Sequence, residues 1–247
     1  MRSFFKNKYL SAVNLPIWVF LSFIGASFVA AYLGTVFSKL GLPLKSLNSA
    51  VANFLFAVIV YLLTLLIVIG LPWLFKKQQT TLKDLGLNRL LRWRDFLISP
   101  PAFVVYVILS FLLSYLIFHL FPWFDPKQVQ DNGFEQISQS FELILAFVTL
   151  VVVAPFAEEV LFRGYLYGKL RKFLPIWLAV GLTSLLFGFI HGAWNVGIDT
   201  FALSILLCLL RERTGSIWSS ILLHMIKNSV AFYLLFINPI LLSIIGG

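Results

Sequence analysis

The stretch APFAEEVLFRGYL, residues 154–166, places two adjacent glutamates and an arginine between long apolar runs. A charge inside hydrocarbon costs at least about 2.5 kcal/mol unless it is paired or hydrated, so such residues are candidates for chemistry. Glu159 and Arg163 are four apart and share a helical face, where a salt bridge forms easily. Glu158 is turned about 100° from Glu159 and points elsewhere. Arg163 can therefore neutralise Glu159 and leave Glu158 for chemistry. A desolvated carboxylate suits general-base work near neutral pH. The plainer reading is that the triplet anchors one end of a membrane helix, with Arg163 reaching the interface. Two adjacent carboxylates are harder to account for that way.

Two further stretches carry polar groups in apolar surroundings. In LLFGFIHGAW (185–194), His191 lies four residues after Phe187. Ser184, Gly188 and Gly192 make a small-residue stripe that lets another helix approach closely. In SSILLHMIKNSV (219–230), His224 and Asn228 are four apart and share a face. Such a pair can bind a metal, hydrogen-bond an oxyanion or join helices. Taken singly, each histidine reads more simply as a helix-to-helix hydrogen bond. Together, a carboxylate, two imidazoles and a carboxamide from three late segments resemble a hydrolytic site. The earlier segments hold one histidine, His119, read as interfacial.

The elements that must position these residues are membrane helices. The chain has 247 residues, 60% hydrophobic and 12% charged, with mean hydropathy +0.94. Soluble domains carry about twice that charge fraction. The apolar residues come in blocks, which points to an all-α, polytopic transmembrane bundle forming one domain over 1–247. Candidate spans are Leu15–Phe37, Val51–Phe75, Phe96–Phe121, Leu143–Leu166, Leu174–Gly192, Val196–Leu210 and Ser216–Phe236, the sixth being short. The count is seven, or eight if the last segment divides differently. Leu15–Phe37 is too long for a signal-peptide core and reads as a retained span.

The net charge of +9 does not indicate nucleic acid, because the basic residues are spread through inter-helix loops. They cluster at Arg2–Lys8, Lys76–Arg94, Arg163–Lys172 and Arg211–Arg213, against Lys39, Lys45 and Lys127 in the alternate loops. The positive-inside rule then puts the N-terminus in the cytoplasm. The expected location is the cell membrane, as a multi-pass protein. One cysteine, Cys208, excludes an internal disulfide.

Other intramembrane protease chemistries lack their motifs. There is no HExxH and no GxGD, although Asp199 in VGIDT comes close. Ser27 and Ser216 have no clear histidine partner. What remains, in order, is Glu158-Glu159-xxx-Arg163, Phe187-xxx-His191 and His224-xxx-Asn228. On these motifs the chain resembles the CAAX-protease and bacteriocin-processing (CPBP, or Abi) family of intramembrane endopeptidases over about residues 140–236.

The resemblance implies that Glu158 and His191 activate the attacking water. His224 and Asn228 would form the oxyanion hole or help hold that water, while Glu159 and Arg163 order the site. The substrate would be a membrane-associated protein or peptide, and the partner surface a lipid bilayer. The family is usually labelled metalloprotease. Glu158, His191 and His224 could supply three ligands to zinc, and a metal-free mechanism uses the same residues, so both stay open. Lys227, beside Asn228, departs from the family pattern and could compete for the carboxylates or face a wet cavity. A non-enzymatic immunity or scaffold protein, keeping these motifs for packing, is the alternative. A transporter is disfavoured because the sequence has no repeat symmetry.

Depth is the one misfit. At about 1.5 Å per residue, Glu158 and His224 each lie about 16 Å from the nearest basic loop residues, and His191 about 28 Å from Lys172. A tilted or displaced fifth helix would bring His191 level.

Overall fold

The computed structural model describes residues 2–241 apart from 44–45, 124, 126–127, 129–132 and 135. Lys45, Lys127 and the tail beyond residue 241 thus lie outside the described residues. Seven helices follow in order: α1 (Arg2–Lys39), α2 (Ser49–Lys76), α3 (Trp93–Leu120), α4 (Ser140–Leu170), α5 (Ile176–Phe189), α6 (Trp194–Thr214) and α7 (Trp218–Ile237). The described residues contain no strand. All helices but α5 are long and apolar enough to cross a membrane. Large apolar side chains such as Phe28 and Phe111 stand about 70% exposed. That is the surface of a protein solvated by lipid, where helices associate through close packing rather than release from water. The chain is a multi-pass membrane protein.

Two expected lengths are exchanged. The fifth helix is the short one, at 14 residues or about 21 Å. It ends at Phe189, and the chain turns through Gly192 at φ +75°. The sixth, expected to be short, runs 21 residues. Asn195, Asp199 and the Arg211–Arg213 segment lower its hydropathy without breaking its helix. The small-residue stripe on α5 meets a second glycine on α6: a Cβ on Gly188 would lie 2.6 Å from the Gly197 carbonyl oxygen. Only glycine permits that approach.

Polar caps fix the helix ends. Asn48 caps α2 by accepting from Ala50 N at 2.9 Å, and its amide donates to Glu142 Oε1 at 2.5 Å. Glu142, in the first turn of α4, also accepts from the backbone of Ser138 and Gln139. It satisfies donors that a helix start leaves unpaired. At the other end of the bundle, Asp95 does the same for α3. It accepts from Arg92 N at 2.9 Å and from Ser219 Oγ of α7 at 2.6 Å.

That second end is where the basic loops gather. The 77–92 segment takes hydrogen bonds at Gly86 O from Ser216 Oγ and Ile217 N, and at Arg89 O from Trp218 Nε1. Lys172 Nζ reaches Asp84 Oδ1 at 2.7 Å. At the opposite end Gln128 accepts from Trp194 N through its side chain and from the Asn195 amide through its carbonyl. The chain therefore alternates between two ends with α5 counted as a crossing element.

Candidate active site

The backbone of α4 departs from α-geometry on both sides of the two glutamates. Val148–Val153 and Val160–Tyr167 are π-helical, and Ala154–Glu159 between them is α-helical. Pro155 accounts for the first widening, because it has no N–H to offer the preceding turn. Ala154 N bonds to Thr149 O, five residues back. The carbonyl of Leu150 is then left without a helical donor, since Ala154 is taken and Pro155 has none. Asn228 Nδ2 fills that need from α7, at 2.7 Å. Wide helical turns of this kind recur at functional sites.

Glu159 and Arg163 are fully buried and joined at 2.8 Å, Oε1 to Nη1. The pairing expected from their spacing is present despite the π-turn between them. His224 Nδ1 lies 2.9 Å from the same Glu159 oxygen. A carboxylate only accepts, so Nδ1 carries the hydrogen and Nε2 is the acceptor of the neutral ring. Nε2 lies 3.8 Å from Glu158 Oε2. Glu158 is 14% exposed, and its Oε1 accepts a 2.5 Å hydrogen bond from Tyr61 Oη of α2. Glu159 is thus locked by two donors while Glu158 keeps an outlet.

His191 sits on the turn after α5 with Nδ1 2.6 Å from Phe187 O. A carbonyl likewise only accepts, which fixes the hydrogen on Nδ1. His191 lies two residues beyond the end of α5. The Phe187 ring ties the set together. Its centroid is 5.0 Å from that of His191, 5.8 Å from that of His224 and 4.3 Å from Arg163 Cζ. Glu158, Glu159, Arg163, His191 and His224 therefore surround one aromatic ring or one another.

Asn228 is turned to the α4 backbone at Leu150 and not to either glutamate. Lys227 pairs with Asp199 Oδ2 at 3.4 Å rather than with the α4 carboxylates, and Asp199 also accepts from Tyr106 and Ser110 of α3. His119 is exposed and stacked on Tyr115, one turn back on α3. Among the described residues no three His, Cys, Asp or Glu side chains gather closely enough to hold a metal ion. As placed, Glu158, His191 and His224 do not form a ligand set.

Tyr61 was not legible in the sequence. A tyrosine in the apolar run of α2 gives no periodic or spacing signal toward a glutamate 97 positions later.

Fold and site define a polytopic helical membrane protein with a buried carboxylate–imidazole centre at the meeting of α2, α4, α5 and α7. Residues 140–230 match the family model described as type II CAAX prenyl endopeptidase Rce1-like. That match bears out the family resemblance read from the three motifs. An uncharacterized 24.3 kDa protein of Escherichia coli is 32% identical over 89 residues, 34% of this chain and 41% of that protein. The uncharacterized protein YpbD of Bacillus subtilis (strain 168) is 31% identical over 112 residues, 44% of this chain and 55% of that protein. The chain thus spans about half the length of the curated relatives it matches. No solved structure matches it.

Proposed function

We propose that the chain is an intramembrane endopeptidase that hydrolyses a peptide bond of a membrane-associated protein or peptide. The observation that carries this reading is the unequal treatment of two adjacent glutamates. Glu159 is buried and bound by Arg163 and His224, whereas Glu158 keeps one oxygen toward His224 Nε2 and partial exposure. A carboxylate kept for packing alone has no need of that asymmetry.

In this mechanism Glu158, assisted by His191, takes a proton from water, and the oxygen attacks the scissile carbonyl carbon. His224 Nε2 accepts a hydrogen bond from the same water, its ring orientation held through Nδ1 by Glu159. The carbonyl π-electrons move to oxygen, and the oxyanion accepts a hydrogen bond from Asn228 Nδ2, which has a second hydrogen beyond the one given to Leu150, while Tyr61 Oη, whose single hydrogen goes to Glu158, orients that carboxylate. Glu158 returns its proton to the amide nitrogen as the C–N bond breaks. Preorganised donors of this kind each contribute about 10²–10³ in kcat. The family match over residues 140–230 supports a protease of CAAX type, and the prenylated or unprenylated nature of the substrate belongs to the same proposal.

The test is a quantitative survey of peptide termini in membranes carrying the wild type or Glu158→Gln at equal expression. New termini confined to the wild type establish proteolysis and give the cleavage rule. Identical termini, with both proteins inserted and folded, would overturn the enzyme reading in favour of a scaffold that keeps these motifs for packing.

A further inference from the structure

The end of the bundle that gathers the basic loops holds a cavity of ≈ 550 Å³ between residues 89–92, the start of α3 and the end of α6. Its walls carry Arg89, Arg92, Arg94 and Arg213 against one carboxylate, Asp95, with Leu97 and Pro101 among the apolar residues beside them. Asp95 is already committed. Arg89 grips both its oxygens at 2.6 and 2.7 Å, and Arg92 N and Ser219 Oγ complete its shell. Arg92, Arg94 and Arg213 are exposed, and none is in a salt bridge among the described residues. Three guanidinium groups around one cavity repel one another until an anion enters. Guanidinium forks match phosphate oxygens in pairs.

The surroundings indicate which anion. The cavity lies where α3 begins its apolar course. Trp93 beside it is 82% exposed and Leu97 73% exposed. An exposed tryptophan at the start of a membrane helix marks the headgroup level of a bilayer. A soluble anion has no use for the apolar wall, whereas a lipid uses both parts. We infer that this cavity seats the headgroup of an anionic phospholipid, its phosphate between Arg92, Arg94 and Arg213 and an acyl chain lying along α3 over Leu97 and Pro101. Basic pockets between membrane helices are suited to such headgroups. The inference does not depend on the protease reading.

The experiment is native mass spectrometry of the full chain in neutral detergent with equal phosphatidylglycerol and phosphatidylcholine of matched chains. The wild type is expected to retain phosphatidylglycerol over phosphatidylcholine by on the order of a hundredfold, three basic groups acting near one anion. The Arg92→Gln/Arg94→Gln/Arg213→Gln variant is expected to bring the ratio near one. A control of equal charge change outside the cavity, Lys76→Gln/Lys77→Gln/Lys83→Gln, is expected to keep the wild-type ratio, and millimolar inorganic phosphate is expected not to displace the lipid. Equal retention of both lipids by the wild type would overturn the inference. So would an equal loss in the lysine control, or displacement of the lipid by phosphate or by an acidic peptide. Thermal unfolding of both variants at the wild-type temperature checks that the comparison is made on folded protein.

Discussion

In the proposed mechanism each polar side chain of the centre has a distinct job, and substitution separates them. Arg163→Ala leaves Glu159 buried without its charge partner and is expected to destabilise the fold by about 3–5 kcal/mol, read as lost thermal stability in detergent. Glu158→Gln is isosteric and partly exposed, so it is expected to keep stability and lose hydrolysis. Tyr61→Phe removes one charge-assisted hydrogen bond and is expected to lower kcat by about tenfold to a hundredfold with little change in KM. Glu158, His191 and His224 are not gathered as a ligand set among the described residues, so activity of the purified protein is expected to survive exhaustive chelation; its loss and recovery with zinc would overturn that expectation. The Glu159–Arg163 pair was readable because four positions on a helix is a local rule. The Tyr61–Glu158 bond was not, since it joins α2 to α4 and depends on packing that spacing does not encode. Asn228 lies between these cases: its shared face with His224 is local, but its bond to Leu150 depends on a proline in another helix.

Proline, glycine and helix length set the framework for those residues. If Asn228 serves the carbonyl that Pro155 leaves unpaired, Asn228→Ala alone should cost about 1–3 kcal/mol. In a Pro155→Ala background, where an N–H is restored, the same change should cost less. Equal costs in a double-mutant cycle would show that the two residues are uncoupled. Gly188→Ala drives a methyl group to 2.6 Å from Gly197 O. It should part α5 from α6 and cost about 1–3 kcal/mol, with lower activity because His191 follows directly on α5. Hydropathy found every helix but misjudged α5 and α6 in opposite directions. Apolar content continues past the true end of α5, where Gly192 turns the chain. Asn195, Asp199, Arg211 and Glu212 are paired and Arg213 is exposed, so the polar side chains at both ends of α6 do not interrupt the helix.

Across the whole molecule, the alternation of basic and neutral loops corresponds to two ends of one bundle, as charge patterning implied. What patterning could not give is that the 77–92 segment is bound into the fold. Asp84 lies on it, and the Lys172 ammonium beside Asp84 holds its carboxyl below the ordinary carboxylate range. A depressed folded pKa adds stability above the unfolded value of about 4 and loses it as pH falls toward the folded one. Asp84→Asn is therefore expected to cost up to about 1 kcal/mol at neutral pH, the pair being solvent-screened, and progressively less below about pH 4. Thermal unfolding across that range checks it. The same segment has a bearing on how the protein is made. Gly86 is translated 130 residues before Ser216, the donor that occupies its carbonyl. During synthesis the Gly86 and Arg89 carbonyls therefore wait for their donors while four more helices are made. Those two carbonyls gain their partners only when residues 216–218 arrive, so a released chain truncated after Thr214 should open residues 77–92 to added protease more readily than the full chain does.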